Sequence, residues 1–110
     1  MIGNAAFEYN TDITSVYIPK SVSIIDENAF YACTNLKSLE YENDSELVSI
    51  APYAFDGCIS LSSVTIPDSV ISIGQRAFAA NPNLSTLIIG KSLENIGAFA
   101  FYGCVNIDNL

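Results

Sequence analysis

An Ala-Phe pair recurs along the whole chain, with the rings at Phe7, Phe30, Phe55, Phe78 and Phe101 and spacings of 23, 25, 23 and 23 residues. A fixed period of this size means stacked repeats rather than one globular core. Other columns align once the chain is registered on those rings. Five residues before each ring stand Ile2, Ile25, Ile50, Ile73 and Ile96. Three residues after it the column reads Asn10, Cys33, Cys58, Asn81 and Cys104. Six after, it reads Ile13, Leu36, Leu61, Leu84 and Ile107, and nine after, Val16, Leu39, Val64, Leu87 and Leu110. No single repeat can bury its own apolar side, so stacking must supply the core.

The third repeat, Ile50 to Ser72, shows what each position does. Val64 and Ile66 lie two apart and share the inward face of a strand, while Ser63 and Thr65 point outward. Pro67 has no N–H to donate, so Pro67-Asp68-Ser69 reads as a turn, after which Val70 and Ile73 return to the core. Ile50, Ala54, Phe55 and Cys58 fall at i, i+4, i+5 and i+8, which predicts a short helix or 3₁₀ turn on the outer side. Gly3, Gly74 and Gly97 share the column where each outer segment begins, with Asp26 and Ala51 in the other two copies.

The order Leu61-x-x-Val64-x-Ile66-Pro67, with Ile66-Pro67-Asp68-Ser69-Val70, Ile73-Gly74 and Ala77-Phe78, resembles the BspA-like (Treponema-type) leucine-rich repeats of bacteria. Ile18-Pro19-Lys20-Ser21-Val22 repeats the signature, as does Ala29-Phe30-Tyr31-Ala32-Cys33. The resemblance covers nearly the whole chain. It implies an α/β solenoid: a right-handed array of about four and a half 23-residue repeats, with parallel strands on a concave face and short helices or 3₁₀ turns on a convex one. Glu42 and Gly90 replace the Pro, and two extra residues fall between Glu42 and Leu47, where a bulge leaving the strand is expected.

Residues 1–110 read as a single domain, and both ends look cut. Met1 leads straight into Ile2-Gly3 of the first repeat, and Leu110 stops in the column of Leu87. The expectation is an excised part of a longer array whose caps and targeting signals lie elsewhere. Its exposed ends, with Ile2, Phe7, Ile13 and Val16 on one and Ile96, Phe99, Phe101 and Ile107 on the other, are expected to drive end-to-end self-association.

The formal charge of −8, from twelve acids against four bases, argues against nucleic acid, which needs clustered Lys or Arg. No apolar run approaches the roughly 18 residues of a membrane-spanning helix. With no His in the chain, the usual general base and both the Ser-His-Asp and Cys-His arrangements are missing. The three Cys share a column with Asn, form no Cys-x-x-Cys pair, and read as small inward side chains that bond to backbone. Cys33 and Cys58 stack one repeat apart with parallel side chains, a poor geometry for a disulfide. Glu40, Glu42, Asp44 and Glu46 form the densest acidic run, a type of cluster that can hold calcium. It lacks the spacing of an EF-hand loop and reads as a solvated edge. Arg76 and the lysines read as ordinary surface charges. No catalytic, cofactor-binding or metal-binding residue is assigned.

The candidate surface is the outward face of the main strands: Ser15 and Tyr17, Ser38 and Glu40, Ser63 and Thr65, Thr86 and Ile88. An extended solenoid face of this type binds other proteins. The resemblance implies a surface-exposed or secreted bacterial protein whose repeats adhere to a protein partner, such as a host extracellular protein. The alternative is a structural spacer with no ligand of its own.

Overall fold

The computed structural model describes residues 1–107. Eight short parallel strands form a solenoid of about four turns. Each turn of the coil has one four-residue main strand: β1 (Ser15–Ile18), β3 (Ser38–Tyr41), β5 (Ser63–Ile66) and β7 (Thr86–Ile89). Each also has a two-residue strand on the return path: β2 (Ile24–Ile25), β4 (Ser49–Ile50), β6 (Ser72–Ile73) and β8 (Asn95–Ile96). Alternation works as the side-chain period of two requires. In β5, Val64 and Ile66 are buried while Ser63 and Thr65 are exposed.

The short strands make one continuous sheet in the order β2-β4-β6-β8, and Ile2 extends it by a parallel bridge to Ile25. The main strands do not. They pair as β1-β3 and β5-β7, with no ladder joining β3 to β5. The break coincides with the two-residue insertion, which bulges after β3 as its sequence predicts. It coincides also with Tyr41, whose ring occupies the inward column held elsewhere by Ile18, Ile66 and Ile89. After the bulge Leu47 regains the core, fully buried, in the column of Val70.

Inside the coil the rings form a spine. Phe7, Phe30, Phe55, Phe78 and Phe101 stack face to face with centroids 5.3, 5.1, 5.1 and 5.6 Å apart and planes within 10°. Phe30, Phe55 and Phe78 are at most 1% exposed. Ring overlap adds about 0.5–1.5 kcal/mol per pair to the value of the buried area.

The outer segments correct the expected helices: among the described residues there is no α-helix and no 3₁₀ helix. Each segment is a run of overlapping tight turns. In the second repeat Ala29 N–H bonds to Asp26 O, Tyr31 N–H to Asn28 O and Cys33 N–H to Phe30 O. The intervening N–H groups point along the stack to the next repeat: Asn28 to Pro52 O, Phe30 to Ala54 O and Ala32 to Asp56 O. A helix would close all of these bonds within its own segment. Turning every second donor outward requires left-handed backbone two residues before and two after each Phe. That is where Ala5, Asn28, Tyr53, Arg76 and Phe99 stand, with φ of 53–63°, and again Tyr9, Ala32, Gly57, Ala80 and Gly103, with φ of 54–80°. Inter-repeat hydrogen bonds thus outweigh the strain of non-Gly residues at positive φ, about 1–2 kcal/mol each.

Candidate functional site

The eight outward residues expected to form a surface fall into two patches. Parallel register sets Ser15 beside Ser38 and Tyr17 beside Glu40 across β1 and β3. It sets Ser63 beside Thr86 and Thr65 beside Ile88 across β5 and β7. Ser38 and Thr86 are half-buried and the other six are exposed. The break in the ladder lies between the patches and opens a groove of about 530 Å³ lined by Glu40, Tyr41, Glu42, Asp44, Thr65 and Asp68, among others. A shallower hollow of about 240 Å³ lies over Ser15, Tyr17, Ser38 and Glu40.

Part of the acidic run has structural work. Glu42 Oε1 accepts a hydrogen bond from Lys20 N at 2.8 Å, and across the groove Asp68 Oδ1 accepts one from Lys91 N at 3.1 Å. Ser69 Oγ donates to Leu47 O at 2.6 Å and ties the bulge to the third repeat. Among the described residues no group of three or more His, Cys, Asp or Glu side chains converges to hold a metal ion. The Tyr41 hydroxyl is buried beside the groove without a hydrogen-bond partner, and burial pushes its phenol up.

The Cys/Asn column bonds to backbone, but across repeats. Cys33 Sγ donates to Phe7 O, Cys58 Sγ to Phe30 O and Cys104 Sγ to Phe78 O, at 3.1–3.2 Å. Asn81 Nδ2 reaches Phe55 O at 3.0 Å and also Phe78 O and Ala79 O. Each side chain therefore clips one turn to the Phe carbonyl of the turn before, which explains why Cys and Asn interchange. All three thiols are free. Burial raises each of them, Cys58 to about 12.

A second clip column escaped the sequence reading. Asn35 Nδ2 donates to Thr11 O, Ser60 Oγ to Thr34 O, Asn83 Nδ2 to Ile59 O and Asn106 Nδ2 to Pro82 O, all at 2.7 Å. Its signal was the recurrence of Asn or Ser two residues after the Cys/Asn column.

Arg76 is no ordinary surface charge. Its Nε lies 2.9 Å from Oδ2 of Asp56, whose side chain is only 7% exposed, and its guanidinium lies 5.6 Å from the centre of the Tyr102 ring. Arg76 Nε donates to the Asp56 carboxylate, and that hydrogen bond, with the carboxylate's charge, raises the Arg76 pKa above its ordinary value. Nearby, Tyr9 and Tyr31 meet edge to face at 5.4 Å. The Tyr31 phenol is raised chiefly by Tyr9, then by burial and by Asp56; the charge of Arg76 opposes the rise and Glu8 adds to it. These side chains stand on the turn side of the coil, opposite the surface the sequence had suggested.

The model of the BspA type leucine-rich repeat region matches residues 1–110 in six copies. The fold matches the Treponema pallidum leucine-rich repeat protein with a TM-score of 0.89 and 32% identity, over 94% of this chain and 48% of that one. A leucine-rich repeat protein from Bacteroides ovatus matches with a TM-score of 0.78 and 33% identity, over 87% of this chain and 24% of the other. The pneumococcal vaccine antigen PcpA shares the fold, with a TM-score of 0.77 and 21% identity over 93% of this chain and 33% of its own. The chain thus spans less than half the length of each. No curated protein matches it. With the columns, the coil and these matches in agreement, the chain belongs to the BspA-type leucine-rich repeat family.

Proposed function

We propose that the chain is a non-enzymatic protein-interaction module from a surface-exposed or secreted protein, binding a protein partner through its main-strand face. The observation that carries this reading is the register. It sets Tyr17 beside Glu40 and Thr65 beside Ile88 on outward-facing strands, with the groove between the two pairs. In the full array we read this face as the concave side of a right-handed coil, the arrangement solenoids use to present extended surfaces. Family membership supports the interaction role, and family resemblance is what supports the surface location. Binding of immobilised extracellular matrix proteins, measured for the wild type and for a Tyr17→Ser/Ile88→Ser double variant, tests it. Binding is expected, with a loss of about tenfold or more in the variant if these two are hot spots. Equal binding by both would remove the strand face from the reading.

A second reading is a spacer without a ligand, and the composition of the row favours it: only Tyr17 and Ile88 among the eight residues are large and apolar or aromatic. Self-association belongs to the same proposal. At the first turn Ile2, Phe7, Ile13, Val16 and Val22 line an apolar hollow of about 380 Å³. This 110-residue chain is expected to associate through such ends at moderate salt, where its net charge of −8 is screened. Light scattering across a concentration series reads this directly.

A further inference from the structure

The turn side carries the residue types that the strand face lacks. Tyr9, Tyr31, Tyr53, Phe99 and Tyr102 project from its tight turns, and Tyr9, Phe99 and Tyr102 are 60–64% exposed. Four of them form two aromatic pairs, Tyr9–Tyr31 on the first two turns and Phe99–Tyr102 on the last, and Tyr is a residue type that dominates binding hot spots. The side chains also start from backbone fixed by three cross-repeat hydrogen bonds at every junction, so little freedom is lost on binding. The surface lies along the flank of the stack, where further repeats would lengthen it rather than cover it.

Its charge states the chemistry of the partner. Lys20, Lys37 and Lys91 all lie next to main strands, which leaves Arg76 as the only Lys or Arg of the chain on the turn side. That single cation is held by the Asp56 carboxylate at 2.9 Å and the Tyr102 ring at 5.6 Å. The first two turns carry a carboxylate and rings but no Lys or Arg of their own, and the charge of Arg76 reaches only the Tyr31 side of them. Glu8 stands in the repeat column of Asp56, Tyr31 follows in the same column, and Tyr9 packs edge to face on Tyr31. An edge-to-face pair leaves the edge-on ring with both faces clear of its neighbour.

We propose that these two turns form a docking site for an arginine of a partner protein segment, held by Glu8 and the Tyr9–Tyr31 rings through the same two kinds of group, a carboxylate and an aromatic ring, that hold Arg76. The site goes beyond the strand-face reading and stands without it. Arginine fits better than lysine because its planar guanidinium stacks on a ring while its forked N–H donors meet a carboxylate. Acidic segments are disfavoured by Glu8 and by the overall charge of −8.

The probe is acetyl-Gly-Arg-Gly-Arg-Gly-amide against its Lys counterpart, titrated into the 110-residue chain. With six Tyr and no Trp, tyrosine emission and ring proton shifts report the site directly. The Arg peptide should bind more tightly than the Lys peptide. Tyr9→Ser and Glu8→Gln should each weaken it by about two- to fivefold, the worth of an exposed cation–π contact or comparable charge contact. Tyr9→Phe, which keeps the ring, should bind like the wild type, and Val48→Ser, at an exposed residue just before β4 and away from the tight turns, should leave binding unchanged. The proposal is overturned if the two peptides bind equally, if neither binds at millimolar concentration, or if Val48→Ser abolishes binding while Tyr9→Ser does not.

Discussion

Between the second and third repeats, the main strands β3 and β5 share no ladder, whereas the turns of the same two repeats keep all three cross-repeat bonds, at 3.2, 2.8 and 2.8 Å. The short-strand sheet also runs through that junction unbroken, pairing Ile25 with Ile50. One side of the coil tolerates the two-residue insertion by opening; the other two continue as though it were absent. Cohesion here resides in the turns and the Phe spine, and the longer strands are the part that can be given up. A leucine-rich repeat named for its strand motif is, in this chain, held together on the opposite side.

The comparison breaks most readily at the spine. Phe55 is fully buried between Phe30 and Phe78, so Phe55→Ala should cost about 3–5 kcal/mol. Against a typical total of about 5–15 kcal/mol, that loss brings the array close to unfolding. The urea midpoint measures it, and an unchanged midpoint would remove the spine from the account of stability.

Alkali should find the turn side next. Burial lifts the Cys58 thiol from its ordinary 9.0 to about 12. The unfolded chain therefore releases this proton first. Stability from the neutral thiol is complete below pH 9 and declines as pH rises toward 12. Urea midpoints collected from pH 8 to 11 should fall above pH 9 in the wild type and fall less in Cys58→Ala. Parallel curves would mean that the thiol does not couple to folding.

Gly74 probes how closely the turns approach one another. A Cβ there would lie 2.7 Å from the Ala51 carbonyl carbon and would meet the Pro52 backbone. Backbone cannot step aside as a side chain can, so Gly74→Ala should cost about 1–3 kcal/mol. A neutral result would show that the turn ladder has slack.

The smallest effect belongs to the broken side. Tyr41 keeps a buried hydroxyl with no hydrogen-bond partner, and Tyr41→Phe should stabilise the chain by about 1 kcal/mol. Thermal unfolding reads the sign. A loss of stability would mean that solvent in the groove already satisfies the hydroxyl.

The sequence disclosed whatever is carried by side-chain identity at a fixed period. The Phe, Ile and Leu columns, the strand alternation and the position of the bulge all appear in the structure where the residues placed them. It did not disclose the turn geometry, because the left-handed positions hold Ala, Tyr, Asn, Arg and Phe. Only Gly57 and Gly103 hint at positive φ. Apolar residues at i, i+4, i+5 and i+8 suit a helix, and a stacked turn meets the same requirement. The break between β3 and β5 was hidden for another reason. Bulging is local to the inserted residues, but loss of pairing depends on how two neighbouring repeats meet. The Asp56–Arg76 pair was equally out of reach, since its members lie 20 residues apart on consecutive turns. That also kept the aromatic flank from standing out against the strand face.

The turn ladder has one further consequence, electrical in kind. Peptide units whose N–H points to the next repeat accept, through their C=O, from the repeat before: Ala29 O takes Phe7 N–H while Phe30 N–H goes on to Ala54 O. Three such units per repeat therefore align along the stack. Alternating peptides in an ordinary strand nearly cancel, but these add as in a helix, each contributing about 3.5 D. The coil is thus a dipole with its positive pole at the last turn and its negative pole at the first. That negative pole falls on the turn that carries Glu8 and Tyr9.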